Sequence, residues 1–157
     1  MSYLNYAATD PQAMLSLRSG FRVDKAAATL PAGITQNLFT VSGGRILLLG
    51  ILGEVTGTVQ TQANASKLLS TPTTGTAVDL CATPDITADQ IGCLYGITGI
   101  FADAMVGANA GATIFSQRPI VIPIGVIGFN CAATNTGATK WTCWWLPLDD
   151  GALVVSA

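Results

Sequence analysis

After residue 20 the chain shows no sustained helical periodicity and runs instead in short stretches of β-forming residues broken by glycine and threonine. Its 17 glycines and 7 prolines are spread along the whole length and do not gather in one linker. Turn signals at that spacing suit a sandwich or barrel of short strands. The 157 residues are enough for one compact domain, and a domain of that size holds a core without metal or disulfide. The sequence therefore predicts an all-β fold, a jelly-roll-like sandwich or β-barrel, over residues 21–157. Residues 1–20 are more polar and mixed and read as an N-terminal arm, with Asp10-Pro11 opening one or two helical turns over residues 11–17.

Several strands are legible. Residues 37–41 form a short strand ending in the turn Ser42-Gly43-Gly44. Residues 45–52 are apolar at nearly every position, the mark of a strand covered on both faces. Residues 55–62 alternate, with Val55 and Val59 inward and Thr56, Thr58, Gln60 and Gln62 outward. Residues 76–82 place Val78 and Leu80 opposite Asp79, and residues 94–106 hold one or two strands. Residues 120–129 read as one strand, with Ile120, Ile122, Ile124 and Val126 on one face and Val121, Ile127 and Phe129 on the other. A turn at Asn135-Thr136-Gly137 then returns residues 139–146 as a hairpin partner, and residues 152–155 follow the turn Asp149-Asp150-Gly151. Along residues 139–146, Trp141, Cys143 and Trp145 share one face, and Lys140, Thr142 and Trp144 the other. With the first face in the core, Trp144 lies in the open or in an interface, where tryptophan is enriched.

Composition narrows the function. Half the residues are apolar and only 10% are charged, with a net charge of −2, against about 25% charged in ordinary soluble domains. Little keeps such surfaces apart, so association with partners is expected. A sheet hides one face on its partner sheet; strands apolar on both faces, at 45–52 and 120–129, call for something on the second face. The chain is net acidic with seven Lys and Arg, which does not favour nucleic acid. Arg18, Arg22 and Lys25 lie within eight residues and are the candidate interface cations, together with Trp144. The longest apolar run, 46–52, is far short of the ~20 residues of a spanning helix, so no membrane partner is expected. Met1-Ser-Tyr-Leu-Asn-Tyr has neither the basic start nor the apolar run of a signal peptide, so the sequon Asn64-Ala65-Ser66 is expected to stay unmodified.

Catalytic groups are sparse. There is no histidine and one glutamate, Glu54. No cleft joining two titratable groups is therefore expected, and no enzyme activity. Ser42-Gly43-Gly44-Arg45 lacks the remaining residues of a phosphate loop. Cys81, Cys93, Cys131 and Cys143 are spaced 12, 38 and 12 apart, without a CxxC, so neither metal nor cofactor is expected. Each 12-residue gap suits neighbouring strands across a turn, and synthesis in a reducing cytosol favours free thiols.

Four segments resemble small proteins of tailed bacteriophages that look like head decoration, or cement, proteins. They are Ile51-Leu-Gly-Glu-Val-Thr, Asn64-Ala-Ser-Lys-Leu, Gly75-Thr-Ala-Val-Asp-Leu-Cys-Ala, and Asn135-Thr-Gly-Ala-Thr-Lys-Trp-Thr-Cys-Trp-Trp-Leu-Pro-Leu-Asp-Asp-Gly-Ala. The likeness covers roughly residues 45–155; residues 1–44 carry none. It implies an all-β protein made in the host cytoplasm and carried on the virion, bound in many copies to the major capsid protein at the capsid surface. Such proteins are often trimers, sometimes dimers, so self-association with a trimer favoured is the expectation. The rival readings are another virion part (tail, neck or fibre) and a carbohydrate-binding module using the tryptophans.

Overall fold

A computed structural model describes residues 19–109, 111, 116 and 118–157; residues 11–17, expected to form helical turns, lie outside them. The named elements are eleven strands: β1 (Phe21–Thr29), β2 (Thr35–Ser42), β3 (Ile46–Gly57), β4 (Ser66–Pro72), β5 (Val78–Asp79), β6 (Leu94–Gly96), β7 (Val106–Ala108), β8 (Ile120–Ile122), β9 (Gly125–Cys131), β10 (Ala138–Pro147) and β11 (Leu153–Ser156). One sheet runs β1-β10-β3-β6-β7, with β8 also paired to β3; the other runs β11-β2-β9-β4-β5.

Setting β7, β8 and β11 aside, the remaining strands pair first with last: β1 with β10, β2 with β9, β3 with β6 and β4 with β5, all antiparallel. Successive pairs alternate between the two sheets. The chain is thus one long antiparallel ribbon wound around a single core, which is the jelly roll. The sheets are also stitched along both sides. Lys25 of β1 donates to the Ala157 oxygen just past β11. On the far side Ala82 N–H donates to Asp103 O (2.7 Å), and Met105 N–H donates to Ala82 O (3.2 Å).

The core takes alternate residues from each sheet. Leu48, Ile51, Val55, Trp141 and Cys143 come from one, and Leu38, Phe39, Leu68, Ile127 and Phe129 from the other. Phe129 and Trp141 meet across the gap at 4.9 Å. The Trp141 ring lies on Gly53, where an added Cβ would sit 2.6 Å from a ring carbon.

Five sequence readings change. Residues 120–129 are two strands: β8 pairs with β3 in the first sheet, β9 with β2 and β4 in the second. Pro123 cannot donate to a ladder, and Gly125 takes φ +153° where a Cβ would lie 2.2 Å from Thr71 O. The strand changes sheets there, so its side-chain phase resets, and two apolar faces resolve into one inward face per strand. Residues 45–52 are likewise not covered equally on both faces. β3 carries a bulge at Leu49, where Trp145 pairs Leu48 and Trp144 pairs Gly50. Ile46, Leu48 and Ile51 point inward, while Leu47, Leu49 and Leu52 are half-buried.

The expected hairpin between residues 130 and 146 is absent. β9 and β10 lie in different sheets, β10 pairs with β1 and β3, and the turn at 135–137 is a crossover. Finally, β3 ends at Gly57, and Val59 is tied instead to the Asp89 carbonyl at 2.9 Å. In the short β5, Val78 faces solvent, and of the pair expected on one face only Leu80, just past the strand, turns inward.

Replacing Gly53 with Ala drives a methyl into the Trp141 ring. It should cost about 1–3 kcal/mol by urea unfolding, as overpacking does, and shift the tryptophan emission. Gly107→Ala, whose methyl meets Tyr95 at an ordinary 3.6 Å, should stay within about 0.5 kcal/mol of the parent.

Candidate functional site

Three surfaces hold the chemistry that the fold leaves accessible: the outer side of β1 and β10, an apolar rim at one end of the sandwich, and a cleft beside β6 and β7.

Of the candidate interface cations, Arg18 lies outside the described residues. Arg22 and Lys25 sit on β1, the outermost strand of its sheet, and not on an arm. Strand alternation puts them on opposite faces, so they form no joint patch. Arg22 pairs with Asp24 at 3.0 Å. Asp24 also accepts from the Thr142 hydroxyl at 2.6 Å. That hydrogen bond, ahead of Arg22, lowers the Asp24 carboxyl despite some opposing desolvation. Lys25 is held by the Ala157 oxygen. Trp144 faces Arg22 across the ladder and is half-buried. Trp141 and Trp145 are buried, as the face assignment required.

The rim was not read from the sequence. Ile46 at the start of β3 is flanked by Ile122 on one side and Pro147 on the other. Residues around it face outward: Val121 within β8 is 53% exposed, and Ile124 and Leu148, in the turns after β8 and β10, are 41% and 46% exposed. Their turns are fixed from below. Asp149 accepts from Arg45 N–H (2.8 Å), Nε (2.9 Å) and Nη2 (2.8 Å), and these hydrogen bonds hold its carboxyl down at about 2. Thr73 N–H binds the Ile124 carbonyl at 2.9 Å.

The cleft, about 290 Å³, is lined by Pro84, Asp85, Ile86, Asp89, Cys93 and Tyr95 together with 107–109. It does bring two titratable groups together, contrary to expectation: the Tyr95 hydroxyl donates to Asp89 Oδ2 at 2.6 Å. Burial, then the Asp89 hydrogen bond, pushes the phenol up far beyond its ordinary range. The Cys93 thiol is raised by burial and by Asp89. Asp85 Oδ1 accepts from Asn64 N–H (2.8 Å), Thr87 N–H (3.0 Å) and the Thr87 hydroxyl (2.5 Å), and these bonds, the Asn64 one first, lower its carboxyl. At neutral pH the cleft therefore presents a protonated phenol, a protonated thiol and a carboxylate engaged in shaping loops. Among the described residues no three His, Cys, Asp or Glu side chains converge as a metal would require.

Asn64 of the sequon is fully buried, its amide oxygen accepting from Ala133 N–H at 3.1 Å. A glycan has no access to it in the folded protein.

All four cysteines are free and buried. Cys131 and Cys143 lie on strands of different sheets; Cys81 follows a strand of the second sheet and Cys93 precedes one of the first. Each 12-residue gap is thus a crossover between layers and not a turn between neighbours. Burial raises every thiol, Cys143 from 9.0 to about 12. The unfolded chain releases these protons near pH 9, while the folded chain keeps them. Stability is therefore full below pH 9 and falls as the pH climbs toward 12. Each thiol protonated only in the native state adds ~1.4 kcal/mol per pH unit to that slope. Urea unfolding at stepped alkaline pH should show the decline, and Cys143→Ala should flatten it. A thiol reagent at pH 7 should label the native protein at none of the four.

No protein-family model, curated protein or solved structure matches this chain.

Proposed function

We propose that this is a non-catalytic decoration protein of a tailed-bacteriophage head, which seats on the outer surface of the major capsid protein and strengthens the shell. The jelly roll alone hosts many functions; what carries the reading is the surface. A chain with 10% charged residues keeps Val121, Ile124 and Leu148 exposed near one end of the sandwich. Apolar groups held outward on a short strand and its neighbouring turns suit a protein that docks by shape. The phage-like segments over residues 45–155 supply the kind of partner. A ligand that binds the assembled shell more tightly than its free subunits stabilises the shell by mass action, and many modest contacts add through multivalency. A carbohydrate module is less well supported, because two of the three indole rings it would stack on are buried.

The test is cosedimentation with heads that lack the protein. The wild type should bind them, and V121E/L148E should bind at least about tenfold more weakly at unchanged thermal stability. Attachment should weaken little between about 50 and 500 mM salt, since apolar contact is not screened. A wild-type protein that ignores heads and is missing from a map of the native particle would sink the proposal.

A further inference from the structure

Jelly-roll edges invite pairing with another chain unless they are short or interrupted. Four of the five outer strands here are short: β5 has two residues, β7 and β8 three, and β11 four. β1 is the exception, with nine residues and, among the described residues, a ladder partner, β10, on one side only. Its ladder is regular from Phe21 to Lys25 and is broken by an irregularity between Lys25 and Ala28. The regular stretch is exposed: the Arg22 and Asp24 side chains are 61% and 55% accessible.

We propose that β1 pairs antiparallel with β1 of a second copy, about a two-fold axis through Val23, joining the two outer sheets into one. The stretch Phe21-Arg-Val-Asp-Lys25 is self-complementary in that register. Arg22 of each copy lies opposite Asp24 of the other, Val23 meets Val23, and the Lys25 stem crosses the Phe21 ring of the other copy. Side-chain alternation restricts the alternatives, because a continuous pleat lets one copy slide only by two residues at a time. One such step opposes Arg22 to Arg22, the other Asp24 to Asp24, and like charges directly opposite are destabilising. One register is therefore selected by charge. The break after Lys25 limits pairing to five residues, and an isologous contact closes on itself, so the product is a dimer and not a fibre. This favours the dimer over the trimer expected from the phage resemblance, and it stands whether or not the protein binds heads.

The experiment uses the full chain in analytical ultracentrifugation. The wild type should show a concentration-dependent monomer–dimer equilibrium. R22D and D24R should each dimerise about tenfold more weakly, since two attractive cross-strand pairs become repulsive. Mixed in equal amounts, these two variants should form a heterodimer of wild-type affinity, identified by its mass in native mass spectrometry, because the carboxylates of one then face the guanidinium groups of the other. The doubly exchanged R22D/D24R chain keeps every pair and should dimerise like the wild type, which separates loss of the contact from loss of the fold. A wild type that stays monomeric or forms trimers overturns the proposal. So does a mixture no more associated than its parts, or a doubly exchanged chain that is monomeric.

Discussion

The indole of Trp141 is where the two sheets meet, and it lies there because Gly53 has no side chain to hold it off. The ring packs at 4.9 Å on Phe129 of the opposite sheet and at 6.3 Å on Tyr95 of its own. Its one polar atom, Nε1, donates to the Thr139 hydroxyl at 3.0 Å, so burial leaves no donor unpaired. From Tyr95 the connection continues to Asp89, whose carbonyl accepts from Val59 N–H. The packing of one ring thus fixes the spacing of the sheets, the wall of the cleft and the path of the chain leaving β3. Tyr95 and Asp89, the two titratable groups that meet in the cleft, are thereby linked as parts of the core's border.

What was legible in the sequence follows from what is local. The inward assignment of Trp141, Cys143 and Trp145 needs only the two-residue repeat of an extended chain, and it agrees with their burial. The partner of that strand is a different matter. In a ribbon whose first strand pairs with its tenth, neighbours in space are remote in sequence, and a turn such as Asn135-Thr136-Gly137 serves a crossover as well as a hairpin. The same ambiguity misled the reading of residues 120–129. Apolar residues at both phases fit a strand buried on two sides. They fit equally a strand that changes sheets at Pro123, and only the ladder decides.

The surfaces were less legible than the core. Three cations within eight residues resemble a patch in one dimension, but the strand throws Arg22 and Lys25 to opposite faces and each finds a partner in its own chain. The rim left no pattern, because Val121 comes from the short strand β8 and Ile124 and Leu148 from the turns after β8 and β10, brought near one another by the neighbours of Ile46. Both cases reflect one rule: a face of a strand is written locally, whereas a surface patch belongs to the topology.

The few charges of this chain are consumed in shaping it. Arg45 and Asp149 clamp two turns, Lys140 and Glu54 bridge β10 and β3, and Lys67 and Asp79 bridge β4 and β5. Asp85 caps a loop, Asp89 holds Tyr95 and Asp103 holds the Thr98 hydroxyl. Among the described charged side chains only Arg118 and Asp150 lack such a partner. A surface neutralised pair by pair projects little field into solvent, so it cannot steer a distant partner by charge. The proposed recognition therefore rests on what is left facing outward among the described residues, namely a few apolar side chains and the edge of the long strand β1. In β1 the Arg22–Asp24 pair fits both: within one copy it quiets an exposed edge, and across the proposed two-fold axis the same two charges can exchange partners without leaving either unpaired.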